Sequence, residues 1–299
     1  MNPQTMSQPQ LLGVSARISV LLDLMKYRLL MLVLVSTTLG YFLASGGVAD
    51  AALLVYTLIG VFLVGGGANC LNQWRERDAD CLMTRTANRP LPSGQISPTG
   101  ALAFGLLISV CGFLELAILT NPLALALSVL SWASYLLVYT PLKRISSLNT
   151  WVGAVPGALP AVVGWAAVSG QLDPGAYALF AILFFWQLPH FFAISWLYRE
   201  DYLKGGFKMI SADDPEGTFT SYHALINSGL LMLASVSLYL VGASGLIYLL
   251  CAFLLGLVFM FSALDFYRER SVANARRLFR VSILYFPVLF AAIVLDQLI

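Results

Sequence analysis

The sequence predicts an all-α, polytopic membrane protein with nine transmembrane helices, and three observations carry that reading. Of the 299 residues, 59% are hydrophobic and only 11% charged, against roughly 25% charged in a soluble domain. Apolar runs long enough to cross a bilayer recur along the chain, and a helix of about 20 such residues satisfies its own backbone in lipid. Every Lys and Arg falls into alternate connections between those runs, the pattern that marks cytoplasmic loops. The formal charge of +2 leaves no basic surplus for gripping nucleic-acid phosphates. Cys70, Cys81, Cys111 and Cys251 form no C-x-x-C pair, and the two histidines give no zinc-site spacing. Buried, unpaired thiols are expected.

In chain order, residues 1–10 are expected to be disordered. Residues 11–28 interleave Leu, Val and Met with Arg17, Asp23, Lys26 and Arg28, which reads as an amphipathic helix lying along the interface. Together they form a cytoplasmic N-terminal segment, 1–28, ahead of a membrane domain, 29–299. The nine spans run approximately from Leu29 to Ser45, Ala51 to Leu71, Thr99 to Leu119, Leu123 to Tyr139, Trp151 to Val168, Ala176 to Leu197, Ala224 to Val241, Ser244 to Leu264 and Val281 to Leu298. The first is too far from the start, and its apolar run too long, for a signal peptide.

The basic residues fix the orientation. Arg17, Lys26 and Arg28 precede span 1; Arg75, Arg77, Arg85 and Arg89 follow span 2; Lys143 and Arg144 follow span 4. Arg199, Lys204 and Lys208 follow span 6, and Arg268, Arg270, Arg276, Arg277 and Arg280 follow span 8, which accounts for all 17. The N-terminus is therefore expected in the cytoplasm and the C-terminus outside it. The two longest connections, after spans 2 and 6, lie on the basic face, where function is expected to sit. Their shared character hints at a diverged internal duplication.

The informative segment closes span 2: Asn69-Cys70-Leu71-Asn72-Gln73-Trp74-Arg75-Glu76-Arg77-Asp78-Ala79-Asp80. If the helix continues, Asn72, Glu76 and Asp80 recur every fourth residue, each step about 40° past a full circle and about 6 Å along the axis, so they share a face. Asn69 lies toward that face; Asp78, about 200° from Glu76, looks to the solvated side. Hard oxygen donors at the mouth of a membrane cavity suit Mg²⁺ and a substrate phosphate, and Arg85 and Arg89 could neutralise a diphosphate bidentately. The alternative is a solvated helix end whose Glu76 and Asp80 pair with Arg77 and Arg85.

These residues resemble the first motif of the UbiA-type intramembrane prenyltransferases, Asn-x-x-x-Asp-x-x-x-Asp at the end of the second helix. The runs Arg85-Thr86-Ala87-Asn88-Arg89-Pro90-Leu91-Pro92-Ser93-Gly94, Tyr139-Thr140-Pro141-Leu142-Lys143-Arg144 and Trp186-Gln187-Leu188-Pro189-His190-Phe191, with Asp201-Tyr202, resemble the haem-farnesylating branch of that family over nearly the whole chain. The chain departs from the broad family in having Glu76 where Asp is usual and no plain D-x-x-x-D after span 6. In its place stands Tyr198-Arg199-Glu200-Asp201-Tyr202-Leu203-Lys204.

On a continuous helix, His190 and Asp201 would share a face about 16 Å apart, with His190 the deeper. An ionisable side chain inside a span is a functional candidate, although a histidine beside Pro189 could instead serve loosened backbone carbonyls. His223 reads as an interfacial residue, and Glu115, near the outer end of span 3, has no assigned role. Lys143, Arg144 and Lys204 could reach a diphosphate or simply anchor the basic face. Trp132, Tyr135 and Tyr139, at helical spacing, are packing or lipid-facing rings, some of which could face an allylic cation.

The resemblance implies nine helices around a central cavity and transfer of farnesyl from farnesyl diphosphate to the vinyl group of haem b, with water, giving haem o and diphosphate. It also implies Mg²⁺ held by Asn72, Glu76, Asp80 and Asp201, diphosphate held by Arg85, Arg89, Lys143, Arg144 and Lys204, and haem contacted by His190 and Tyr139. A partner in terminal-oxidase assembly or a haem A synthase, and a cell inner membrane with the site facing the cytoplasm, complete the expectation. The lack of an Arg- and Ser-rich presequence favours a bacterial membrane. The rival readings are a prenyltransferase for a quinone precursor or another aromatic acceptor, and a transporter or haem carrier. The Arg-Glu-Asp-Tyr and Pro-His-Phe segments weigh against the first. Against the second, the outer ends offer little polar lining beyond Asp50, Asp173, Asp296 and Glu115.

Overall fold

The computed structural model describes residues 13–47 and 50–298; the expected disorder of residues 1–10, and the first two residues of the expected interfacial helix, lie outside them. The described residues form helices and turns without strands, and nine of the helices are long and apolar enough to cross a membrane. The elements are α1 (Val14–Met25), α2 (Tyr27–Ser45), α3 (Ala51–Asp80), α4 (Pro98–Leu119), α5 (Pro122–Ala133), a π-helical turn (Ser134–Tyr139), α6 (Thr140–Leu142) and α7 (Asn149–Ser169). They continue with α8 (Pro174–Leu197), the short α9 (Arg199–Lys204), α10 (Thr218–Leu240), α11 (Leu246–Arg268) and α12 (Val272–Leu298). The stretch Pro122–Leu142 makes one span. Every span sits where the apolar runs place it. The structure extends α3 to Asp80 and starts α12 at Val272, because polar residues that end an apolar run do not end a helix.

Chain entry into lipid is capped. Asp50 accepts hydrogen bonds from the amides of Ala52 and Leu53, Ser97 from Gly100, Asn121 from Ala124, and Asp173 from Gly175 and Ala176. These satisfy first-turn donors that have no intrahelical partner. At the α2–α7 crossing the backbones meet directly: a Cβ added at Gly164 would collide with the carbonyl of Thr37, the close approach that small residues permit in membrane bundles. Outward-facing Leu107, Ile118 and Leu233 are exposed, as lipid-facing side chains are. Among the described residues, α12 packs on α8 and α11, α2 on α7 and α3, and α7 on α8, so the spans fall into an early and a late group joined at α7 and α8.

Four expectations are corrected, the first being the place of Asn69. The amphipathic α1 packs against the spans. It buries Val20, Leu24 and Met25, and α3 reaches across to it, Gln73 donating to the carbonyls of Asp23 and Leu24 and Asn69 to that of Met25. Asn69 therefore belongs to the α1 contact and not to the acidic face. The helix carrying His190 is not continuous to Asp201: it ends at Leu197, Tyr198 leaves helical geometry (φ −117°, ψ 24°), and α9 starts anew. The regular spacing of Trp132, Tyr135 and Tyr139 is broken by the π turn. Pro141, which has no amide hydrogen and whose ring crowds the carbonyl four residues back, disfavours an ordinary α turn there. Finally, of the four thiols, none of them in a disulfide, only Cys70 is buried, and Cys81 and Cys111 are exposed.

Candidate active site

The polar end of α3 turns inward. Asn72 is 0% exposed, Glu76 5% and Asp80 0%, whereas Asp78 points to solvent beside Arg77 at 3.7 Å, as the four-residue period requires. Each member of the row is met by a different cation from a different element. Lys26 Nζ donates to Asn72 Oδ1 at 3.1 Å, Lys143 Nζ to Glu76 Oε1 at 2.8 Å, and Arg89 Nη1 to both Asp80 oxygens at 2.8 Å. Asn72 Nδ2 in turn donates to Thr140 Oγ1 at 3.2 Å, and Thr140 Oγ1 to the carbonyl of Tyr135 at 2.8 Å. The π turn is thus tied directly to the acidic row.

Lys26 was not legible as a site residue. It is the one non-glycine with positive φ among the described residues (φ 55°, ψ 51°), and this left-handed turn swings the chain from α1 into α2 and delivers its side chain to α3. Burial, then the nearby charges of Arg89 and Lys143, push its ammonium down to about 7, against the opposing pull of Glu76 and Asp80. Burial works against charge on Lys143 as well. There the carboxylate of Glu76, helped by Tyr139 and Tyr135, prevails and raises it above the ordinary lysine value. Lys143 also lies over the rings of Tyr139 and Phe207, at 4.7 and 5.5 Å, and Tyr139 stacks on Tyr135 at 5.4 Å. Cations and aromatic faces together surround the row.

The loop after α3 closes the site from outside. Arg85 spreads its guanidinium over Tyr198 and Tyr202, at 5.3 and 5.6 Å, while its backbone amide donates to Asp201 Oδ2 at 3.1 Å. Burial opposes ionisation of Asp201, but the amides of Arg85 and Thr84 outweigh it and hold the carboxyl below its usual range. Asp201 is thus engaged with the loop. Among the described residues no three His, Cys, Asp or Glu converge as a ligand cluster, and α9, which carries Asp201, starts anew after the break at Tyr198. Arg144 is exposed and lines a groove of about 280 Å³ with Arg75, Glu76, Thr140, Pro141 and Ile145. Lys204 is exposed on α9. A second groove, about 290 Å³, brings Tyr198, Arg199 and Asp201 next to Val272 at the start of α12.

His190 sits below that groove on α8. Its Nδ1 lies 2.7 Å from Ser282 Oγ of α12, and its ring stacks with Trp186 at 5.6 Å and Phe279 at 5.0 Å. The expected haem contacts, His190 and Tyr139, are therefore on separate walls, α8 with α12 for the one and the π turn for the other. His223 packs edge-on against Trp151 at 5.0 Å, and Glu115 has no hydrogen-bond partner for either carboxylate oxygen among the described residues.

Residues 33–290 match the model of the UbiA prenyltransferase family. The chain is 42% identical to the protoheme IX farnesyltransferase of Solibacter usitatus, over 92% of its own length and 98% of that protein's. It is 38% identical to the protoheme IX farnesyltransferase of Opitutus terrae, over 95% and 96%. The fold matches a UbiA homologue from Archaeoglobus fulgidus, solved with GPP and Mg²⁺, with a TM-score of 0.71 at 15% identity, covering 92% of this chain and 99% of that one.

Proposed function

The chain belongs to the UbiA prenyltransferase family, and from that premise we propose that it transfers the farnesyl group of farnesyl diphosphate to a vinyl group of haem b, with addition of water, giving haem o and diphosphate. The observation that carries the reading is the buried row of Asn72, Glu76 and Asp80 with one cation held against each. Buried charges are expensive unless paired, so a site that concentrates two carboxylates and three cations suits a ligand bearing charges of both signs.

The donor set fits Mg²⁺: an amide and two carboxylates on one buried helix face are the hard oxygen ligands it takes. Asn72, Glu76 and Asp80 would hold it, and when bound it would offset the negative charge that gathers on a departing diphosphate. Lys26, Lys143 and Arg89, released from the row, turn to the diphosphate oxygens, and Arg85 and Arg144 reach it from the loop and the groove rim. Lys204 contributes field from α9. The farnesyl C1–O bond breaks with its electron pair on the diphosphate, so donors already in place stabilise charge as it develops. Tyr135 and Tyr139 present ring faces to the allylic cation. The vinyl carbon then bonds to C1, water adds to the porphyrin-stabilised cation, and its proton leaves to solvent.

His190 contacts the haem from the α8–α12 wall. The protein is a multi-pass membrane protein. The charge asymmetry supports an N-terminus and site on the cytoplasmic face and a C-terminus on the opposite one, which in a cell inner membrane is the periplasm. A haem A synthase or an oxidase-assembly partner would take the product. Purified protein incubated with haem b, farnesyl diphosphate and Mg²⁺ should yield a porphyrin heavier by one farnesyl group and one water in mass spectrometry. Prenylation of an aromatic acid acceptor with haem b untouched would overturn the assignment.

A further inference from the structure

The hydrogen bonds around His190 specify which of its nitrogens carries the proton. Ser282 Oγ lies 2.6 Å from the carbonyl of Phe279, an atom that can only accept, so the single hydroxyl hydrogen is spent there. The same oxygen, 2.7 Å from His190 Nδ1, must then accept, and Nδ1 carries the hydrogen. The other nitrogen, Nε2, keeps its lone pair and makes no hydrogen bond among the described residues, on a ring that is only part-buried. An unmet polar atom within a span suits a position that a ligand occupies. The ring is also held in plane. Trp186 and Phe279 flank it with interplanar angles of 18° and 28°, and Trp186 Nε1 donates to the carbonyl of Ser282 at 2.8 Å, pinning α8 to α12 at this depth.

An imidazole whose Nδ1–H is anchored on an oxygen and whose Nε2 is free is the arrangement by which proteins present histidine to a metal. We propose that Ser282 is a positioning residue that fixes His190 as the Nδ1–H tautomer, so that Nε2 ligates the iron of the haem substrate. The proposal rests on haem being the acceptor. It adds a coordination bond, formed by the Nε2 lone pair in place of a water on the iron, without change of oxidation state. His190 is about 10 Å below the end of α8, under the groove where Asp201 meets Val272. Iron held there places the porphyrin on the α8–α12 wall.

The test uses the full-length protein in detergent. With ¹⁵N-histidine labelling there are two imidazoles to observe, and His223→Asn identifies the second. His190 should show an Nδ1–H and an unprotonated Nε2 in the wild type, and Ser282→Ala should lose that preference. Ferric haem b, titrated with absorption and electron paramagnetic resonance detection, should give a histidine-ligated spectrum in the wild type. His190→Ala should lose it. Ser282→Ala should bind roughly 10- to 100-fold more weakly, and Ser282→Thr, which keeps the hydroxyl, should restore binding. Metal-free protoporphyrin IX should bind all four proteins alike. An Nε2–H tautomer in the wild type, or an unchanged haem spectrum in His190→Ala, overturns the proposal, and so does an equal loss of haem and metal-free porphyrin binding. If the wild type still converts haem b to the farnesylated product, the failure is of the ligation alone; if it neither binds nor converts haem b, the functional reading has failed too.

Discussion

Asp80 is the residue on which the diphosphate chemistry depends most directly, being fully buried and held by both oxygens to one arginine. Asp80→Asn keeps shape and hydrogen-bonding capacity while removing the charge. It should lower kcat by at least about 100-fold with the helical signal retained, and unchanged turnover would refute the metal role. Lys26 makes a second, pH-dependent case. Its ammonium, pushed down to about 7, is charged below that pH and neutral above it, so the KM for farnesyl diphosphate should rise between about pH 6 and about pH 8. Lys26→Arg, charged throughout that range, should flatten the profile, and parallel profiles would remove Lys26 from the diphosphate site. The row itself was legible because a period of four is a local signal. Lys26 and Thr140 were not, since they reach Asn72 from 46 and 68 residues away in sequence. Nothing in Met25-Lys26-Tyr27 announces a left-handed turn.

At the scale of elements, capping residues and apolar length place the spans, but the deviations that shape the site lie inside or just beyond them. The π turn at Ser134–Tyr139 adds a residue to one turn, and with it Tyr135 stacks on Tyr139 while Lys143 reaches Glu76. Pro141→Ala would supply the missing amide hydrogen and relieve the ring's crowding, letting the turn relax to α and shifting the register by one residue, about 100° of rotation. Activity should fall by at least about tenfold while the melting midpoint holds or rises. Wild-type activity in this variant would show that the π turn is incidental. The break at Tyr198 is the counterpart on the opposite wall. Pattern reasoning extends a helix until a proline, glycine or cap interrupts it. Tyr198-Arg199-Glu200 offers none of these, so Asp201 was assigned a phase that the real chain abandons.

For the whole molecule, strict alternation of basic and non-basic connections is a global signal that no single span carries, and the spans follow it. The basic ends that the alternation places on one side meet there, Lys26 with Asn72 and Lys143 with Glu76, while Asp201 and Val272 line one groove. Which spans neighbour one another is decided by side-chain packing among helices of similar composition, and hydropathy is silent about that. The native thiols test the orientation without engineering a site. Cys81 is exposed at the end of α3, on the basic face; Cys111 is exposed midway along α4, where its neighbour is lipid; Cys70 is buried. A membrane-impermeant maleimide should therefore label inside-out vesicles at Cys81 and leave right-side-out vesicles unlabelled at that position. Cys81→Ser should abolish the inside-out signal, since the reagent cannot enter hydrocarbon to reach Cys111. Labelling of Cys81 in right-side-out vesicles would invert the topology and carry the diphosphate site to the opposite face of the membrane.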